Sequence, residues 1–399
     1  MKAPLSNVLA LCALAASAFP PSIAAAGPAP GSAVRTVRVD CAAGEKVAKA
    51  LRLPADQLVV ELSGTCVEDL VIERSGVTLK GITPDATLQG DATSPGSNVL
   101  IRGASRVDLQ DLAITGGEAV GVRLQRNAEA RLRNVRITGV PFFGLFLEES
   151  SSALVEDTVV AEHGFFGVTV FDSVLTVQGI NDFSRNGQIG LLLSSGAALH
   201  TNGDGRIIAN DNGASGVALQ AGAAGFFPSV EARGNGIAGI DLSFGGELTS
   251  IGSNNDFSDN GVFGVVAGDG ARYFAAARVV NNGSVGIFAE EGTHVNVATD
   301  QPSNVTGSPV DVILAGGTGT FGGTTQQTGL VVIGTIELTF GSRASFGADA
   351  TVGTLTCDGT VLTQGAFSCP TSLDSLRVGS AWLRHDLPRP QRPVLPELP

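Results

Sequence analysis

Asn186-Gly187-Gln188-Ile189-Gly190-Leu191-Leu192-Leu193 is answered by Asn212-Gly213-Ala214-Ser215-Gly216-Val217-Ala218-Leu219, and then by Asn235-Gly236-Ile237-Ala238-Gly239-Ile240-Asp241-Leu242. Outward from this stretch the same phrase, a glycine followed by apolar, variable and apolar residues, begins at Gly121, Gly144, Gly167, Gly190, Gly216, Gly239, Gly264 and Gly286. The steps are 23, 23, 23, 26, 23, 25 and 22 residues. Val310-Asp311-Val312 carries it one step further without the glycine. Apolar-variable-apolar alternation is the two-residue period of a strand with one buried face. A second strand precedes each phrase: residues 107–116 align with 130–139 at an offset of 23, and 153–160 follow at the same offset. A propeller blade needs about 40 residues, and the leucine-rich consensus is absent. The period fits one coil of two or three short strands, with equivalent positions stacked about 4.8 Å apart.

Four residues before the glycine stand Asn186, Asn212, Asn235, Asn260 and Asn282, each followed by glycine. Asn-Gly marks a sharp turn, because both residues tolerate left-handed backbone. Stacked amides can donate to one neighbour and accept from the other. The column therefore reads as a buried asparagine ladder, and His163 falls in it one coil earlier.

The repeat, over residues 98–315, resembles that of the pectin-lyase-like superfamily, and Gly44, Ala50-Leu51, residues 59–68 and residues 77–81 resemble its entry coils. Cys66 stands where the superfamily often has an aromatic residue. The resemblance implies an all-β chain forming a single right-handed parallel β-helix. It leaves activity open, since lyases, hydrolases, isomerases and non-enzymes share that fold.

The chain divides accordingly. Residues 1–26 read as a signal peptide, with Lys2, an apolar run from Val8 to Phe19 and small residues Ala24 to Ala26. Residues 27–97 form an N-terminal cap and entry coils, 98–315 the repeats, 316–370 the C-terminal coils and cap, and 371–399 a Pro-rich tail. The apolar run is too short to span a bilayer, and no later run reaches eighteen residues. A secreted or periplasmic protein is expected. After the signal leaves with Cys12, four cysteines remain: Cys41, Cys66, Cys357 and Cys369. Three connectivities are possible. Their clustering at the two ends favours Cys41–Cys66 and Cys357–Cys369, which an exported chain keeps oxidised. The net charge of −13, or −14 without Lys2, disfavours nucleic acid and anionic lipid as partners.

The chemistry is less legible. Superfamily lyases use an Arg or Lys base, but the four lysines, Lys2, Lys46, Lys49 and Lys80, all precede the repeats. Arginines 102, 106, 123, 126, 131, 133 and 136 form either a solvated face or a polyanion patch. Glu162-His163-Gly164 and Arg206-Ile207-Ile208 partly match galacturonan hydrolase motifs, whose other elements are missing. Glu148, Glu149 and Asp172 follow the phrase on adjacent coils, with Glu149 and Asp172 in equivalent positions. Such a carboxylate pair could bind Ca²⁺ or act as acid and nucleophile. The catalytic candidates are thus Glu149, Asp172 and His163, the metal candidates Glu149 and Asp172, and calcium is the one cofactor to consider. Asp269, Glu290 and Glu291 occupy similar places.

The positions expected to point outward from the phrase strand are Arg123, Phe146, Thr169, Leu192, Ala218, Asp241, Val266, Phe288 and Asp311. Such an apolar stripe calls for contact with the C-terminal tail, another subunit or a partner. Phe142-Phe143 and Phe165-Phe166 repeat nearby, and at least one of these columns is expected to stack in the core. One Trp and one Tyr in the chain count against an aromatic-lined glycan cleft. The reading is a non-catalytic exported binding or surface protein, monomeric or weakly oligomeric, whose partner is an extracellular polysaccharide or a surface protein. The alternative is a diverged polysaccharide lyase or glycoside hydrolase.

Overall fold

The computed structural model describes residues 33–369 except 94–95, 228, 251–253, 298–301, 323–330, 359, 366 and 368. The expected signal peptide, residues 1–26, and the expected Pro-rich tail, residues 371–399, lie outside the described residues. Each coil contributes strands to parallel sheets that run the length of the molecule. Sheet 1 has 15 strands, from Val34–Asp40 to Leu362–Gly365. Sheet 2 runs from Leu70–Ile72 through all the phrase strands to Val331–Thr339 and Ala350–Cys357. Sheet 3 has eight strands, from Thr65–Val67 to Ser229–Glu231. The α-helix among the described residues is a single turn, Val47–Ala50. The molecule is a right-handed parallel β-helix, the hand that parallel crossovers adopt.

Register follows the sequence offset. Leu109, Leu132 and Val155 are partners in sheet 1, and Leu145 pairs with Val168 in sheet 2. Their side chains point inward and are fully buried, as are Ile114, Ile137 and Val160 from sheet 3. Stacking thus makes apolar columns, each buried Leu, Ile or Val contributing roughly 1.5–3 kcal/mol by removal from water.

The two glycine columns have steric causes. A Cβ on Gly190 would lie 2.7 Å from the Gly216 carbonyl oxygen and 2.8 Å from the Asn212 amide nitrogen. A Cβ on Gly216 would meet the Asn235 amide nitrogen at 2.9 Å. The phrase glycine therefore makes room for the ladder amide of the next coil, which is why the two signals travel together. The glycine after each ladder asparagine differs from expectation. Left-handed backbone falls on the residue before the asparagine, at Arg185, Asp211, Gly234, Asp259 and Asn281. A Cβ on Gly213 would sit 2.0 Å from the Gly187 carbonyl oxygen, so close coil-to-coil approach demands the glycine there.

The ends are tied down. Cys41–Cys66 and Cys357–Cys369 are disulfide-bonded, with Cα separations of 5.0 and 5.8 Å. The short helix lies at the N-terminal end, its Val47 and Ala48 amides donating to the Glu68 carboxylate at 2.7 and 3.1 Å. An acidic group at a helix N-terminus also opposes the helix dipole favourably. At the other end the long strand Val331–Thr339 pairs first with Ser303–Thr306 and then with Val310–Ala315, straightening the corner between faces.

Candidate functional site

The ladder is continuous. Asn186, Asn212, Asn235, Asn260 and Asn282 are all buried. The Oδ1 of Asn212 accepts from the Asn186 backbone N–H at 2.9 Å and its side-chain amide at 3.1 Å. The same pair of bonds links Asn212 to Asn235, Asn235 to Asn260 and Asn260 to Asn282, all at 2.9–3.1 Å. His163 stands at the head. Its backbone N–H donates to Asn186 Oδ1 at 3.1 Å, and its Nδ1 accepts from the Val140 N–H at 3.2 Å. Burial holds its pKa down, at about 4. Nδ1 is an acceptor, so the neutral ring carries its proton on Nε2, which is buried without a partner. A neutral imidazole enclosed in this way reaches no substrate.

The ladder continues past its asparagines. Asn282 N–H donates to Ser308 Oγ at 3.2 Å, and Ser308 N–H donates to Asp311 Oδ1 at 3.0 Å. The other Asp311 oxygen accepts from the Thr335 N–H at 2.7 Å. Asp311 is thus a buried terminator, paired across the sheet with the Gly286 position, and its outward placement needs correction. Register puts Ile313 beside Phe288 in the outward column. The missing glycine in the last phrase was the available signal for this change.

Glu149 and Asp172 occupy a different corner. Both have left-handed backbone, as do Arg126, Ser195, Ala221, Phe244 and Asp269 in the same turn column. Asp residues adopt that conformation more readily than most because the short polar side chain bonds locally. The Glu149 carboxylate lies 3.9 Å from Arg126, and Asp172 accepts from Ser150 Oγ at 3.4 Å. Glu148 accepts from the Arg123 Nε at 2.7 Å and from the Gln125 amide at 2.9 Å. The strand Phe166–Phe171 separates Asp172 from the His163 corner, about 17 Å for five residue steps. The three catalytic candidates therefore do not converge. Among the described residues, no group of three or more His, Cys, Asp or Glu side chains comes together to hold a metal ion.

The early arginines are mostly spoken for. Arg102 pairs with Glu73, Arg123 with Glu148, Arg131 and Arg133 with Glu156, and Arg126 with Glu149. A different cationic strip crosses the outer face of sheet 1. Arg272, His294, Thr318 and Arg343 are successive register partners, so Arg272 and Arg343 are about 14 Å apart at three strand spacings. Arg272, His294 and Arg343 are exposed, and His294 Nδ1 lies 2.7 Å from Thr318 Oγ1. Neither arginine has an acidic partner among the described residues.

The outer face of sheet 2 is apolar. Asp241 lies between inward-pointing Ile240 and Leu242, so its own side chain points outward. One outer cluster gathers Phe143, Phe146, Phe166 and Leu192, and a second gathers Phe263, Val266, Phe288 and Ile313. Phe143 and Phe166 stack at 5.5 Å in the first cluster, flanked by Phe142 and Phe165. Both phenylalanine columns thus belong to the outer face, and the expectation of one in the core is corrected. The first cluster ends at Ala218, and its register partner Asp241 sits between that cluster and the second. Thr169 and Ala218 have no accessible surface and Asp241 has 3%. Burial raises the Asp241 pKa to about 7, and its Oδ1 has no partner.

No family model matches the sequence, and no curated protein matches it. Solved structures do. The A-module of a mannuronan C-5 epimerase from Azotobacter vinelandii superposes with a TM-score of 0.50 and 14% identity, over 79% of this chain and 89% of that one. An alginate lyase from a Paenibacillus strain gives 0.32 and 12% over 82% and 99%. A lacto-N-biosidase from Eubacterium ramulus gives 0.38 and 10% over 82% and 68%. At 14% identity the likeness to the epimerase module speaks for the fold alone, a right-handed parallel β-helix.

Proposed function

We propose that the protein is an exported, non-catalytic binding protein whose ligand is an acidic extracellular polysaccharide. The observation that carries the non-catalytic reading is the place of His163. The one histidine near the acidic candidates is a neutral, buried ladder residue, and Glu149 and Asp172 stand on another corner in turn conformations. No complete set of acid, base and electrophile remains among the described residues. The two disulfides and the signal-like start support export.

The strip Arg272, His294, Thr318 and Arg343 supports the ligand class. It presents two arginines without acidic partners among the described residues, three strand spacings apart with His294 and Thr318 between them, on an exposed sheet face of a chain whose net charge is −13. A linear polyuronate laid along the stack would meet the guanidinium groups of Arg272 and Arg343, three strand spacings apart. The module of similar fold belongs to a mannuronan C-5 epimerase, which agrees with this class.

The test has two parts. Affinity electrophoresis in gels containing polyuronate or neutral polysaccharide should show retardation by the polyuronate alone, weakened by added salt and by the double change Arg272→Ala, Arg343→Ala. Incubation with the same polymers should leave chain length and uronate stereochemistry unchanged. Shortened chains, unsaturated ends or epimerised residues would overturn the non-catalytic reading. Equal retardation of the double variant would overturn the strip.

A further inference from the structure

The outer face of sheet 2 is buried, yet every described element that packs extensively against its phrase strands lies in their own or an adjacent coil. On a sheet face open to water, Ala218 and Asp241 would be accessible between neighbours as small as Ser215 and Ala238. Their burial, and that of Thr169 between Phe146 and Leu192, is what an overlying layer produces.

We propose that this layer is the chain's own C-terminal segment, residues 371–399, docked along the stripe as a strap. Three observations point to it. The first is where the described chain ends. Cys369 is bonded to Cys357, at the end of the strand Ala350–Cys357. That strand pairs with Val331–Thr339, which pairs with Val310–Ala315, the last phrase strand of the same sheet. The chain passes through Leu362–Gly365 of sheet 1 before Cys369, and the disulfide holds the start of the segment beside the sheet 2 strand that lies two strands beyond the stripe. The second is length. From the strand of Ile313 back to that of Arg123 there are eight strand spacings, about 38 Å. Twenty-nine residues reach about 43 Å as a helix and roughly twice that extended. The other end of the chain enters at Val34 on sheet 1, and removal of residues 1–26 would leave too few residues there to cover the face.

The third is chemistry. The segment has four arginines against two aspartates and one glutamate, a net +1 beside a remainder of −14. It carries Leu373, Leu376, Trp382 and Leu383 to meet the phenylalanine clusters. An apolar segment suits a stripe of phenylalanines, and its net positive charge suits a body of net negative charge.

Trp382 is the only tryptophan of the chain, so its emission reports docking directly. The full exported protein, its N-terminus determined by mass spectrometry, should give blue-shifted emission protected from iodide. Ala218→Glu places a charge on the outer face without touching the inner core. It should shift the emission to the red, raise iodide quenching severalfold and leave far-UV circular dichroism unchanged. Leu376→Glu together with Leu383→Glu, on the segment itself, should do the same if Ala218→Glu fails to fold. Solvent-like emission in the unaltered protein overturns the proposal. So does native-like emission in a folded Ala218→Glu protein. A dimer by light scattering that dissociates on Ala218→Glu with Trp382 unmoved would assign the face to a second copy. Retention of residues 1–26, with Trp382 exposed, would assign it to the N-terminal segment.

Discussion

Replacing Asn235 with alanine removes three hydrogen bonds, and their consequences differ. Asn235 Oδ1 accepts from the Asn212 backbone N–H at 2.9 Å and from the Asn212 side-chain amide at 3.0 Å. Its own amide donates to Asn260 Oδ1 at 3.0 Å. After the change, Asn260 Oδ1 still accepts from the residue 235 backbone N–H, so that side of the break is partly satisfied. The Asn212 side is not. A buried backbone N–H and a buried amide lose their only recorded acceptor, and a stranded buried polar group costs roughly 1–3 kcal/mol. The expected loss is about 2–4 kcal/mol, allowing for some relaxation of the Asn212 amide.

Asn186→Ala provides the internal control. Its Oδ1 accepts one bond, from the His163 backbone N–H, because His163 has no amide to give. One donor is stranded there instead of two, but the Asn186 amide also donates to the Phe183 and Ser184 carbonyl oxygens at 3.0 and 3.3 Å, so the loss should be no smaller than that of Asn235→Ala. Both residues are equally buried, which removes burial as an explanation of any difference. Urea unfolding followed by far-UV circular dichroism, with the midpoint shifts compared at constant slope, measures both. A much smaller shift for Asn186→Ala would show that the ladder is not an accounting of hydrogen bonds. A shift below about 0.5 kcal/mol for Asn235→Ala would place it in the range of ordinary surface changes and refute the ladder's energetic role.

Three further outcomes follow from the same structure. His163 has its folded pKa depressed from 6.5 to about 4, so its neutral burial is a stability contribution present above pH 6.5 and lost as pH falls toward 4; Asp241→Asn should expose this slope in pH-dependent unfolding, about 3 kcal/mol in full, and a flat profile in that variant would refute it. Asp241 has its folded pKa raised from 3.8 to about 7, so its contribution is fully present below pH 3.8 and lost as pH rises through 7. The two slopes oppose each other between pH 4 and 6.5, and His163→Asn should leave only the falling one; Asp241→Asn should stabilise the protein at pH 8, and destabilisation there would show that Asp241 has a cationic partner. Cys41→Ser with Cys66→Ser opens a loop spanning 25 residues and should cost about 3 kcal/mol, read as a lower melting temperature, while no change would mean the short helix and Glu68 alone secure that end.

The fold was legible because its two strongest columns are steric necessities repeated through successive coils in the middle of the chain. Gly216 admits the Asn235 amide, and Gly213 admits the backbone of the coil before it. Neither position tolerates a side chain, so the period survives in residue names even where the strands vary in length. The fate of His163 was legible for the same reason: it falls in a column whose other members are all buried donors and acceptors. The outer face was not. Two-residue alternation separates Thr169 from Val168 and Val170, but it says only that Thr169 leaves the core of its own coil. Whether water or another layer lies beyond depends on atoms far away in sequence, and no local period encodes that. Asp311 shows the same limit from the inside. Its phrase lacks the glycine, the strand shifts so that Ile313 takes the outward column, and the carboxylate turns in to end the ladder on Thr335. Glu149 and Asp172 were paired correctly by offset, yet offset places residues on one corner without saying why they are there. Left-handed backbone, shared with Ser195 and Asp269 in the same column, is the physical reason that accounts for Asp172 without a ligand. A solenoid therefore discloses its inner columns in its sequence and withholds the purpose of its outer ones, which is where the Trp382 emission and the Arg272 and Arg343 changes apply pressure.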